Sequence, residues 1–139
     1  SILFNTVREK NSYCYYINSS VKAYDNILII NSGVEAKNID KSIKLIKKCL
    51  KDVSLGKFSL DDLDSCKNTI ISAIKSNRDN PITAINTCFS NVLVGSDSDE
   101  ERIEKFSKVT KEDIIKVSKK ISLHTVLTLE PKEEEHGED

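Results

Sequence analysis

The spacing of apolar residues changes several times along the chain, and each change marks an element. Leu3, Phe4 and Val7 recur at helical intervals within Ser1 to Lys10. Tyr13, Tyr15, Ile17, Ser19 and Val21 then alternate with Cys14, Tyr16, Asn18 and Ser20, the two-residue period of a strand. A helix is therefore expected to end near Asn11, where a strand begins. Asp25 and Asn26 favour a turn, and Ile27 to Ser32 follows as a β-branched run closed by Gly33. The two runs predict an antiparallel hairpin.

From Asn38 the period lengthens. Ile39, Ile43, Ile46, Leu50 and Val53 step by fours and threes, with Lys44, Lys47, Lys48 and Lys51 on the other side, which predicts an amphipathic helix lying on the sheet. Gly56 stops it. Ser59-Leu60-Asp61-Asp62 has the form of a capping box for a second helix, with Leu63, Ile70 and Ile74 inward. Asn80 as cap and Pro81 in the first turn open a third, with Ile82, Ile85, Phe89 and Val92 inward and Gly95 at its end. Ser96 to Asp99 is a polar turn whose acidic residues suit the start of a short helix holding Ile103 and Phe106. Thr110-Lys111-Glu112-Asp113 caps a last helix with Ile114, Val117 and Ile121 inward. Leu123 to Leu129 returns to strand character, and Pro131 with the acidic run Glu133 to Asp139 reads as a frayed tail.

Two strands, a run of helices and one returning strand describe an α+β fold, an antiparallel sheet with helices packed on one face. The other face carries Tyr13, Tyr15, Tyr16 and the apolar strands around Ile27 to Ile30 and Leu123 to Leu129, too apolar a surface to leave to water. Further strands or a further domain are expected to cover it.

Composition removes several function classes. The 139 residues carry 21 basic and 22 acidic side chains, a balance with no electrostatic pull toward nucleic acid or an anionic membrane. No apolar run reaches membrane-spanning length, and no signal-peptide pattern opens the sequence. Cys14, Cys49, Cys66 and Cys88 are dispersed without a C-x-x-C pair, which suits free buried thiols in a reducing, cytoplasmic compartment.

Catalytic equipment is missing from the pattern. A catalytic zinc commonly takes three protein ligands, whereas the two histidines, His124 in an expected strand and His136 in the tail, belong to no H-x-x-E-H motif. The sequence contains no G-x-S-x-G turn and no glycine-rich phosphate loop. One cluster remains. Arg8, at the end of the first helix, and Tyr15, seven residues on in the next strand, are placed to share a cleft, where a guanidinium fork and a phenol can hold a peptide carbonyl or a carboxylate. The competing reading pairs Arg8 with an acidic neighbour and leaves the tyrosines to packing.

Leu3-Phe4-Asn5-Thr6-Val7-Arg8-Glu9-Lys10, with Ser12 and Tyr15-Tyr16, resembles the L-F-x-x-V-R-E-K-x-S-x-x-Y-Y signature in the C-terminal, zinc-free domain of the pitrilysin (insulinase-like) peptidases, relatives of the mitochondrial processing peptidases. Gly33-Val34-Glu35, Gly56-Lys57-Phe58-Ser59, Asn80-Pro81, Gly95 and Val109 to Ile114 fall in the family's order, so the resemblance runs from about Ser1 to Leu129. It is closest to bacterial members.

The resemblance implies that residues 1–131 are the C-terminal part of a peptidase domain that has further strands and a helix ahead of it, with 132–139 as an acidic tail. It implies a substrate-binding domain of a zinc endopeptidase, with Arg8 and Tyr15 as peptide contacts, no catalytic or metal-ligating residue in this segment, and zinc held by the partner half. The alternative it leaves open is a non-catalytic pitrilysin-like paralogue that supports an active partner. The implied partners are a peptide substrate and the N-terminal half of the same protein or a homologous subunit. The uncovered sheet face adds self-association of the segment. An unrelated α+β interaction module is the remaining alternative from the pattern alone.

Overall fold

Val7 anchors the start of the chain because it has no exposed surface left, a burial that stabilises by about 1.5–3 kcal/mol. The segment around it, Phe4–Lys10, winds as a π-helix, wider than an α-helix and often found at functional sites. Its end is tied down by Ser12 N–H donating to the Arg8 carbonyl at 2.9 Å, Tyr13 N–H to the Val7 carbonyl at 3.1 Å and the Asn11 amide to the Thr6 carbonyl at 2.6 Å. Ser12, in the left-handed region at φ 51°, turns the chain into the sheet. The structure is a computed structural model and describes residues 1–22, 25–77 and 81–129. The Asn80 cap, His136 and the acidic tail 132–139 lie outside the described residues.

β1 (Cys14–Lys22) pairs antiparallel with β2 (Ile27–Val34), as the hairpin reading expects. The register runs Lys22 opposite Ile27 to Tyr16 opposite Gly33, then skips to Cys14 opposite Val34. Tyr15 is thus the extra residue of a bulge. The expected alternation of Tyr13, Tyr15 and Ile17 on one face fails here: the bulge shifts the phase, so Cys14 and Ile17 are both buried and Tyr15 and Tyr16 are both exposed, the re-aiming that a β-bulge performs.

α1 (Ile39–Ser54) covers the inner sheet face. Val7, Cys14, Ile17 and Cys49 form a buried cluster, with Phe4, Tyr13, Ile30, Val34, Leu45 and Ile46 packed against it. The buried stripe of α1 runs through Ser42, Leu45, Ile46 and Cys49, and the four lysines face solvent as expected. Ser42 is buried and its hydroxyl donates to the Tyr13 carbonyl at 3.5 Å, satisfying a polar group that would otherwise be costly there.

Two compact units make up the chain, one of residues 2–49 and 120–139, the other of Ser1 and residues 50–119. In the first unit the expected strand over Leu123 to Leu129 does not form. Among the described residues the sheet has two strands, and this segment stays exposed and unpaired. Strand propensity is realised only when a neighbour completes the ladder.

In the second unit, α1 ends in a Schellman motif: Gly56, at φ +73°, donates to the Val53 carbonyl and Lys57 N–H to the Asp52 carbonyl, both at 2.9 Å. α2 (Leu60–Asn77) is opened by Ser59, whose hydroxyl accepts from Asp62 N–H at 3.0 Å while the Asp62 carboxylate accepts from Ser59 N–H at 3.1 Å. Its inward row is Leu63, Lys67, Ile71 and Ile74, with Ile71 in place of the expected Ile70. α4 (Asp99–Lys108) and α5 (Lys111–Ser118) each begin with a complete capping box, Ser98 with Glu101 and Thr110 with Asp113. α5 turns Ile114 and Ile115 inward. Val117 is exposed, and Ile121 lies beyond the helix end.

α3 (Pro81–Val94) departs furthest from its pattern. Ile82, Ile85, Phe89 and Val92 were expected inward and are 64–78% exposed, while the partly buried side holds Thr83 and Thr87. Its apolar stripe stays largely exposed to solvent.

Candidate functional site

Two short elements meet at the bulged end of the hairpin. The π-helix presents Arg8 near its C-terminus, and the bulge turns Tyr15 outward. Both side chains line one open hollow of about 430 Å³, together with Glu9, Ser12 and Cys14. The hollow is shallow and wide open to solvent. The sequence-derived pair is therefore brought to one surface feature. The Arg8 guanidinium carbon lies 5.0 Å from the centroid of the Phe4 ring, within cation–π range. Among the described residues no carboxylate forms an ion pair with Arg8.

Tyr15 is 64% exposed, so it is not a packing residue. Its hydroxyl donates to Glu35 Oε1 at 3.1 Å. Glu35 follows β2, where the pairing of Cys14 with Val34 brings the two strand ends together. Lys37 Nζ closes on the other carboxylate oxygen, Glu35 Oε2, at 2.6 Å. The titrations interlock. The hydrogen bond and the charge of Glu35 raise the Tyr15 phenol above its ordinary value, and the bonds from Lys37 and Tyr15 hold Glu35 below the usual carboxylate range. Lys37 is raised by the same carboxylate.

Glu35 and Lys37 escaped the sequence reading as site residues. The available signal was their place just past the second strand of a hairpin whose first strand carries Tyr15 near its start, but that signal depends on a bulge that alternation does not reveal.

A second hollow, about 210 Å³, lies in the helical unit among α2, α3 and α4, lined by Ile74, Thr83, Thr87 and Arg102 among others. Arg102 is engaged there by Asp99 at 3.4 Å.

The described residues do not fit a zinc site. No three of their His, Cys, Asp or Glu side chains converge to hold a metal ion. His124 is exposed, with Nδ1 2.7 Å from Thr125 Oγ1. All four cysteines are free, but only Cys14 and Cys49 are buried; Cys66 and Cys88 are exposed, which corrects the expectation of four buried thiols. No helix of the described residues is long and apolar enough to cross a membrane.

Residues 1–70 match the family described as the peptidase M16 inactive domain. The chain is 30% identical over 130 residues to the probable inactive metalloprotease YmfF of Bacillus subtilis (strain 168), an alignment covering 93% of this chain and 30% of that protein. The fold is also similar to the crystal structure of a conserved protein from Enterococcus faecalis V583, with TM-score 0.79 and 27% identity over 86% of this chain and 28% of the other. The chain thus spans less than a third of either relative.

Proposed function

Because the chain belongs to the peptidase M16 (pitrilysin-like) family and matches its inactive domain, we propose that it is the peptide-holding, zinc-free part of a larger M16 protein. The observation that carries this reading is the shared hollow of Arg8 and Tyr15. An arginine fork beside such a hollow can hold a backbone carbonyl or terminal carboxylate through charge-assisted bonds, and the phenol beside it adds a second polar contact. Peptide binding, not bond cleavage, is the chemistry these residues supply.

In the first reading the parent is an active endopeptidase. Its N-terminal half, or a homologous subunit, then holds the zinc that would activate water, and residues 1–131 hold the peptide while 132–139 form a tail outside the domain. In the second reading the parent is non-catalytic and supports an active partner. A specific observation favours the second: the relative from Bacillus subtilis is itself named a probable inactive metalloprotease. A reducing, cytoplasmic setting is supported by the thiols, two of them exposed, and a bacterial one by the relatives from Bacillus subtilis and Enterococcus faecalis. The bare side of the hairpin, where Tyr16 and Ile27 are about half exposed, supports self-association of the segment when it stands alone.

The test is binding of a fluorophore-labelled, unstructured peptide to the full parent protein. Arg8→Ala and Tyr15→Phe should each weaken binding with the fold intact, Arg8→Ala by about tenfold or more, as expected for a charge-assisted contact. Unchanged affinity in both variants overturns the role. Zinc content and chelator-sensitive cleavage of the same peptide separate the two readings: stoichiometric metal with cleavage supports the active parent, and neither supports the supporting subunit.

A further inference from the structure

Among the described residues, α3 is the α-helix without a single charged side chain; α1, α2, α4 and α5 each carry several. A helix that meets water on one side normally puts its charges there, and charge is depleted at the centre of protein interfaces. The polarity of α3 is also inverted. Thr83 and Thr87 lie on its partly buried side, while Ile82, Ile85, Phe89, Val92 and Leu93 stand 64–78% exposed.

The spacing narrows the choice of partner. Ile82, Ile85, Phe89 and Val92 recur at steps of three, four and three, and Leu93 widens the stripe by one position. This is the pattern of a helix packed among helices, with side chains seated between those of a neighbour that crosses at about 20°. From Ile82 to Val92 the stripe is about 15 Å long, so about three turns of a second helix cover it. A lipid surface fits poorly, because helices that lie in a membrane interface carry Lys or Arg along the polar face, and α3 carries none.

We propose that the exposed stripe of α3 is one side of a helix–helix seam, whose other side is an apolar helix from the part of the parent protein outside residues 1–139. The length of the relatives supplies that occupant. The alignment covers 30% of the Bacillus subtilis protein and the structural match 28% of the Enterococcus faecalis one, so most of a parent of that length lies outside this chain. A soluble protein rarely leaves a contiguous apolar patch to water. The inference rests on the chain being part of a larger protein and is independent of the peptide-holding role of Arg8 and Tyr15.

The experiment uses the full parent protein and two readouts. The first is alkylation by N-ethylmaleimide of the thiol introduced by Val92→Cys, a small, apolar replacement, followed by peptide mass spectrometry in the folded protein and in urea. The thiol should react about tenfold or more slowly in the folded parent, since the seam must open before it is modified, and this protection should hold across a dilution series. The second is photo-cross-linking from Phe89→p-benzoylphenylalanine, which keeps an aromatic ring in the middle of the stripe. It should capture a segment outside residues 1–139, at positions three or four residues apart.

A thiol that reacts as fast in the folded parent as in urea leaves the stripe open to water and overturns the seam. Protection that fades on dilution means that a second copy covers α3, cross-links confined to residues 1–139 mean that this chain covers itself, and capture at positions two residues apart means that a strand does. Each of these overturns the proposed occupant. Neither readout involves peptide binding or cleavage, so failure here leaves the peptide-holding role standing.

Discussion

The ring of Tyr16 lies against Gly33, its cross-strand partner, so closely that a Cβ on Gly33 would fall 2.3 Å from Cε1 and 2.8 Å from Cδ1. The aromatic ring covers the gap that a glycine leaves in a strand, and the pair pins the register next to the Tyr15 bulge. Gly33→Ala should therefore displace the ring and cost about 1–3 kcal/mol, as overpacking does. The same substitution made in Tyr16→Ala should cost much less. A double-mutant cycle by denaturant unfolding reads the difference, and additive single effects would show that the pair is uncoupled.

Gly56 combines two demands, a φ of +73° and the approach of Ile115 Cδ1 to 2.8 Å of where its Cβ would stand. Gly95 makes only the first, at φ +63° with nothing within 4 Å. Both alanine variants should be destabilised by the left-handed backbone, about 1–2 kcal/mol, and Gly56→Ala should lose more because the α5 side chain must give way. Thermal or denaturant unfolding that ranks Gly95→Ala as the worse would contradict this account.

The capping boxes of α4 and α5 make stability depend on acid. Glu101 accepts from Ser98 N–H, and Asp113 from Thr110 N–H. These bonds hold both carboxyls below their ordinary values of 4.5 and 3.8. A carboxyl depressed in the folded state contributes stability that is present above its unfolded value and lost as pH falls through its folded one. Asp113→Asn should therefore destabilise at neutral pH, and its gap to wild type should close as pH drops below about 4. Thr110→Ala should cost about 1 kcal/mol at neutral pH. Urea midpoints across a pH series check both.

Ile74 and Phe89 reverse the ranking that hydrophobicity alone suggests. Ile74 is 6% exposed on α2, while the larger Phe89 is 64% exposed on α3. In the chain by itself Ile74→Ala should cost about 2–4 kcal/mol, whereas Phe89→Ala should change stability by about 0.5 kcal/mol or less. A large loss for Phe89→Ala would mean that the α3 stripe is covered in solution.

What the sequence determined by itself was local. Lysines on one side of α1, a serine or threonine three residues ahead of an acid at the starts of α2, α4 and α5, and β-branched runs around a turn specify elements through contacts within a few residues, so those elements stand where the pattern puts them. The pairing of Arg8 with Tyr15 was also legible, because one helix end and the next strand start are joined by a short connection. The tertiary structure decided the rest. One extra residue in β1 flips the strand phase and turns Tyr15 toward the hollow, and only cross-strand pairing shows that insertion. Glu35 reaches the Tyr15 hydroxyl because the hairpin closes, 20 residues later in the chain. The apolar stripe of α3 and the segment from Leu123 to Leu129 look internal in the sequence but are exposed, since periodicity reports which face is apolar and burial requires a surface to receive it.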